Sequence, residues 1–203
     1  DENDAKKRTI EEYATIMGRT GSKLEDREWG GQLEVAFASA ALQRPVVLWQ
    51  CGDGRGSKQL RGDEKECDSV IPLIDMRWQY PQIPPIHIFY NGHSHYSKLW
   101  DPIEETDFLR WQTVPGDGDC LFTALGLGNM SENDARNWVR DNSKWVNIGG
   151  REALVLKNAT ARQMPLGVRR AITRQLQNDW LNVANWAGLQ PLWLAAEEQI
   201  GQQ

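Results

Sequence analysis

The stretch PPIHIFYNGHSHYSKLW, residues 84–100, commits this chain to a β-sheet. Ile86, Ile88 and Tyr90 alternate with a period of two, the chain turns at Asn91-Gly92, and a second run resumes from His95 to Trp100. Asn-Gly between two alternating runs is a strong short-range hairpin signal, because both residues tolerate the positive φ of a tight turn. An all-helical fold is thereby excluded, and other segments must cover the hairpin's apolar face.

Those other segments read mainly as helices. Thr9-Ile-Glu-Glu12 has the form of a capping box that opens a helix through Tyr13, Ile16 and Met17. Leu33, Ala36, Phe37, Ala40 and Ala41 recur at helical spacing from about Gly31, and Pro45 ends that helix. Val46 to Trp49 then read as a buried strand, and the polar, Gly-rich residues 51–69 as a loop or ragged hairpin. Beyond Cys120 the chain reads mostly helical, with Ser131 and Asp134 as a cap. Ala135, Trp138, Val139, Trp145 and Val146 line one face, Val168, Ile172, Leu176 and Trp180 another, and Pro191 starts a last short helix. The expectation is an α+β fold with a small central sheet flanked by helices, one domain over residues 1–203.

Composition narrows the function. With 203 residues the chain can bury a core without staples, and 40% hydrophobic with 25% charged residues suits a folded protein. A net charge of −5 and no basic run argue against nucleic acid as a partner and favour a basic protein surface. No apolar run reaches membrane-spanning length, and DENDAKKRTIEEY lacks the apolar core of a secretory signal. The sequence opens without Met, as expected of a chain trimmed from a longer one. Cys51, Cys67 and Cys120 are odd in number and follow no C-x-x-C spacing, so they read as free thiols in a reducing compartment.

The second constraint is VPGDGDCLFTAL, residues 114–125, where two glycines bend the chain just before a thiol and an apolar helix starts on it. A thiol at a helix N-terminus has a lowered pKa, and Gly116 and Gly118 let backbone N–H groups turn inward as an oxyanion hole requires. The plainer reading of Cys120 is a buried structural residue after a turn. A nucleophilic cysteine needs a base, and the sequence holds three histidines, His87, His93 and His95. His87 falls within an alternating strand and reads as structural or on the solvent face, while His93 sits at the turn. His95 begins a strand beside Tyr96 and is the firmest place to hold an imidazole. No carboxylate or further cysteine stands at ligand spacing from these residues, so no metal and no cofactor are expected. GDGRGSK at 52–58 lacks the ending of a phosphate loop, and Arg61-Gly62-Asp63 is a tripeptide of the kind that occurs by chance.

Three pieces together resemble one family, the ovarian-tumour (OTU) deubiquitinases, which are papain-like cysteine peptidases. GDGDCLF at 116–122 is similar to the family's nucleophile motif. Tyr13, Met17 and EWGGQLEVAFASAALQRPVVL resemble its Trp-Gly-Gly segment, helix and strand, and IHIFYNGHSHYSKL resembles its terminal strand pair with the His-Tyr that supplies the base. These pieces span about half the chain. In the family the Cys motif comes first, Trp-Gly-Gly next and His-Tyr last; here the order is Trp29-Gly30-Gly31, His95-Tyr96, Cys120. A cyclic shift of intact pieces is what circular permutation produces, and the chain resembles permuted bacterial members that act as effectors inside host cells.

The resemblance implies a papain-like OTU fold in permuted order and a deubiquitinase, a cysteine isopeptidase with Cys120 as nucleophile and His95 as base. Backbone N–H groups around Asp117, Gly118 and Cys120 would hold the oxyanion. Trp29, Gly30 and Gly31 would lie near the substrate; their plainer role is a tight turn packed under the helix. The family commonly places Asp or Asn two residues after the His, where this chain has Ser97, so Ser97 and Asn91 are rival ring orienters and a Cys–His dyad is the third possibility. The implied partners are ubiquitin and polyubiquitin chains, met by a monomer in a cytosol, that of the host after secretion. Glu25, Asp26, Glu28 and residues 101–107 could wall the groove for ubiquitin's arginine-rich tail; their plainer role is a solvated face. The alternatives are an inactive ubiquitin-binding module and a peptidase for another ubiquitin-like modifier.

Overall fold

The computed structural model describes residues 10–18, 29–52, 59–61, 69–100 and 108–179. Helices α1 (Ile10–Met17) and α2 (Gln32–Leu42) lead into β1 (Val46–Cys51), β2 (Gln59–Arg61) and β3 (Val70–Asp75). The hairpin follows as β4 (Ile86–Tyr90) and β5 (Tyr96–Trp100), then β6 (Phe108–Gln112) and α3 (Cys120–Leu127). Helix α4 (Glu132–Asn142), a second hairpin of β7 (Ser143–Ile148) and β8 (Arg151–Leu156), and α5 (Gln163–Asp179) complete the order. The fold is α+β, as its alternations predict. Thr9, the 101–107 stretch, Trp180 and the helix expected at Pro191 lie outside the described residues, as do Glu25, Asp26, Glu28 and Cys67.

One mixed sheet of six strands runs β2-β6-β5-β4-β1-β3, with β1/β4 and β2/β6 parallel and the other neighbours antiparallel. Period-two alternation gives each strand two different faces. Val46, Leu48, Ile86, Ile88, Tyr96 and Trp100 join side chains of α1, α2, α3 and α5 in the main core. Val47, Trp49, Val70, Phe89 and Leu99 form a smaller cluster, with Trp111 against it. Helix α3 is buried at every one of its residues, Cys120 through Leu127. An apolar helix of this kind is a core element rather than a surface one.

Three expectations are corrected here. Trp145 and Val146 lie on β7, not on a helix, because SKWVNI and REALVL pair antiparallel across Gly149-Gly150, both at positive φ. The Gly-Gly turn between alternating runs was the signal for this hairpin. The first hairpin has a longer loop than Asn-Gly suggests: Tyr90 pairs with Tyr96, and the Asn91 N–H donates to the His95 carbonyl, so His95 closes the loop instead of opening the strand. Cys51 is disulfide-bonded rather than free. Antiparallel pairing sets Cys51 opposite Val70, a neighbourhood that linear spacing does not reveal. No described helix is long and apolar enough to cross a membrane.

Candidate active site

The turn before Cys120 is held from three sides. Gly118 sits at φ +83°, a conformation glycine adopts without a Cβ clash. The Asp119 N–H donates to Asp117 Oδ1 at 3.1 Å, and the Gly116 N–H donates to the Leu154 carbonyl on β8 at 3.1 Å. Beneath the turn, Arg169 of α5 donates to Asp119 Oδ1 through Nε at 3.2 Å and Nη2 at 3.0 Å. It also donates to the carbonyls of Gly118 (3.4 Å) and Met17 (3.0 Å). Among the described residues the Gly118 and Cys120 N–H groups have no protein acceptor, so both are open to an oxyanion. Asp117 accepts the Asp119 N–H on its carboxylate. That carboxylate shapes the turn, and burial raises its pKa.

The Cys120 sulfur lies against the backbone that brackets His95. Its thiol faces the Ser94 carbonyl at 3.9 Å, and the Tyr96 N–H donates toward it. The Leu121 N–H at the helix tip lowers this thiol's pKa, but burial outweighs it. Burial pushes it up to about 11, with the charges of Asp117 and Asp119 adding to the effect over the backbone N–H groups of Tyr96 and Leu121. At neutral pH the sulfur is therefore a thiol that must lose its proton to a base as it reacts.

His95 itself is half-buried, at the end of the loop. Asn91 Oδ1 accepts backbone N–H bonds from His93 (2.9 Å), Ser94 (3.0 Å) and His95 (3.0 Å). That oxygen is taken up in shaping the loop, so Asn91 positions the backbone of His95 instead of accepting its ring N–H. Ser97 is fully buried opposite Phe89, and its hydroxyl has no hydrogen-bond partner among the described residues. It shares the sheet face of Leu99, away from α3, and does not orient the ring. His87 is structural: it is buried, and its Nδ1 accepts the Trp49 Nε1–H at 2.9 Å. His93 is exposed.

The Trp29-Gly30-Gly31 segment meets the first turn of α3. A Cβ on Gly30 would lie 2.5 Å from Leu121 Cδ2 and 2.9 Å from Phe122 Cζ, so glycine leaves the room that these two side chains occupy. Gly31 caps α2, donating its N–H to Glu34 Oε2 at 2.6 Å. Burial raises the pKa of Glu34, whose Oε1 accepts the Tyr13 hydroxyl at 2.7 Å. Trp29 is exposed. The tight-turn role is thus the one the geometry displays for the two glycines.

A pocket of about 250 Å³ opens beside the loop, lined by Asn91, His95, Trp111, Gly116, Trp145 and Glu152, among others. Sequence reasoning missed Trp111, Trp145 and Glu152 because it missed β6 and the second hairpin. It also missed Arg169, although a charge between Val168 and Ile172 on an apolar helix stripe was a visible signal. Among the described residues no three His, Cys, Asp or Glu side chains gather to hold a metal. Comparisons with known protein families, with curated proteins and with solved structures find no match.

Proposed function

We propose that this chain is a cysteine isopeptidase of the OTU type, in permuted order, that releases ubiquitin from lysine side chains and dismantles polyubiquitin. The observation that carries the reading is the seat of Cys120 Sγ between the Ser94 carbonyl and the Tyr96 N–H, on either side of His95, beside two open N–H groups. The contact of Gly30 with the Cys120 helix supports it, because the three resembling segments converge on one place. The packing of α5 against α1 supports the permuted order, in which the chain after Cys120 returns to the start of the first helix.

In this reading His95 takes the thiol proton as sulfur attacks the terminal glycine carbonyl of ubiquitin. The carbonyl oxygen gathers charge against the Gly118 and Cys120 N–H groups. The C–N bond then breaks, and the imidazolium returns its proton to the departing lysine amine. Water, deprotonated by His95, adds to the thioester; the C–S bond breaks and the thiol is restored. The resemblance extends the proposal to a bacterial effector working in host cytosol. The reading needs no cofactor.

The second reading is a module that holds ubiquitin without cutting it, favoured by a thiol buried to 7% exposure and raised to about 11. Ubiquitin carrying a C-terminal electrophile separates the two. The peptidase reading expects one adduct, located at Cys120 by mass spectrometry and abolished by Cys120→Ala, with cleavage of diubiquitin lost in parallel. Binding without adduct or cleavage establishes the module instead, and labelling by a different modifier alone reassigns the substrate.

A further inference from the structure

Among the described residues, strands β7 and β8 pair only with each other, and a two-stranded ribbon is marginal by itself. Its base is anchored by buried Ser143 and Leu156, and Leu154 packs on the main core. The Gly116 N–H donates to the Leu154 carbonyl at 3.1 Å, so that carbonyl points out of the ribbon on the β8 side. Directly opposed residues of an antiparallel pair turn their backbone groups the same way, inward together or outward together. Trp145 opposes Leu154 and Asn147 opposes Glu152, so the N–H and C=O groups of Trp145 and Asn147 point out on the β7 side. There they meet no backbone partner among the described residues, and both side chains are exposed. Strand β7 is thus an open edge, ready to pair with another chain.

The side chains say what kind of chain fits. Alternation puts Lys144, Val146 and Ile148 on one face of the ribbon, with Val155, Ala153 and Arg151 opposite them. None of the four apolar residues joins either core cluster, and Ile148 is 58% exposed. This face holds two cations and no carboxylate, and neither cation forms an ion pair among the described residues. The chain as a whole carries a net charge of −5, so a basic, apolar face stands apart from its overall charge. A second copy pairing antiparallel through its own β7 would lay one cationic face beside the other, which disfavours self-association.

We propose that the open edge of β7 is a docking strand for an extended acidic segment of a partner protein, which adds to the ribbon as a third strand. Main-chain bonds to Trp145 and Asn147 hold the segment, and two of its carboxylates meet Lys144 and Arg151. Lys144 and Ile148 stand four residues apart on one face, so the fitting pattern is an acid, an apolar residue beside Val146 and a second acid at alternate positions. The second acid lies along Ile148, and Arg151 reaches it from the neighbouring strand on its long stem. The ribbon then joins the docked segment to the Cys120 turn through the bond between Gly116 and Leu154. The proposal does not depend on what Cys120 does.

The test titrates the full chain into a fluorescein-labelled peptide, Thr-Glu-Thr-Val-Thr-Glu-Thr, followed by polarisation and by amide hydrogen exchange. The expected result is saturable binding with a Kd below about 100 μM and slowed exchange at the Trp145 and Asn147 amides. Methylating one alternate set of the peptide's backbone nitrogens should abolish binding while methylating the other set spares it, because one set faces β7. The double variant Lys144→Glu, Arg151→Glu should bind the peptide about tenfold or more weakly. It should instead take up the same peptide with Lys in place of each Glu, and that gain shows that the variant is folded. Absence of saturation below about 1 mM overturns the proposal and leaves Lys144 as a guard against edge pairing. Equal binding of the acidic and basic peptides by the parent chain overturns it, as does slowed exchange confined to residues outside 143–156. Self-association of the chain without peptide uptake also overturns it, and would make β7 an interface between copies.

Discussion

Arg169→Met should be among the most damaging single substitutions in the chain, for reasons independent of any activity. Arg169 and Asp119 both have fully buried side chains. The guanidinium makes two bonds to Asp119 Oδ1, reaches the carbonyls of Met17 and Gly118, and lies over the Phe122 ring at 4.1 Å. Methionine fills much of the same space, so the loss is chiefly electrostatic. Asp119 is left as a buried charge without its counter-ion, at a cost of about 3–5 kcal/mol. Two carbonyls also lose donors. Against a total stability of about 5–15 kcal/mol, this is a large fraction. Urea unfolding followed by tryptophan fluorescence reads it directly. With a slope near ~2 kcal/mol per molar, the midpoint should fall by about 1.5–2.5 M. Adding Asp119→Asn to Arg169→Met removes the orphaned charge and should recover part of the loss, a coupling of about 1–3 kcal/mol. A midpoint shift below about 0.5 M, or a double variant no better than the single, would refute the reasoning.

Other consequences follow from the same packing. Gly30→Ala puts a Cβ 2.5 Å from Leu121 and should cost about 1–3 kcal/mol in a thermal or urea melt, while Gly31→Ala, whose Cβ meets nothing closer than Glu34 Oε2 at 3.6 Å, should stay within about 0.5 kcal/mol. Asn91→Ala strips the acceptor from three N–H groups of the His95 loop, so it should raise amide exchange across residues 93–95 and lower diubiquitin cleavage without abolishing it. The Cys120 thiol, raised from 9.0 to about 11, favours folding in its protonated form. That contribution is complete below pH about 9 and lost as the pH rises through about 11. Iodoacetamide alkylation of the folded protein should accordingly be slow at pH 7 and still rising at pH 10, and a plateau below about pH 8 would mean a preformed thiolate.

The sequence by itself determined the parts that rest on local chemistry. Alternation through Ile86, Ile88 and Tyr90 into an Asn-Gly turn yields the β4/β5 hairpin, because period two and positive φ are local properties. Apolar spacing from Leu33 to Ala41 yields α2, and Gly118 before Cys120 yields the turn into α3. What the sequence could not reveal depends on distant neighbours. Trp145 and Val146 fit a helical stripe as well as a strand, and pairing with β8 decides between them. A helix tip at Cys120 argues for a reactive thiol, but enclosure of the whole helix by α5 and the sheet reverses the shift. Ser97 occupies the orienter's place in the chain, yet its strand turns it to the face away from α3, whereas Asn91 spends its oxygen on three backbone N–H groups. Arg169 stands 50 residues from Asp119 in the chain and reaches it only because α5 packs under the turn. Periodicity records which side of a segment is apolar; what that side meets, and therefore each buried group's charge, is fixed only when the layers close.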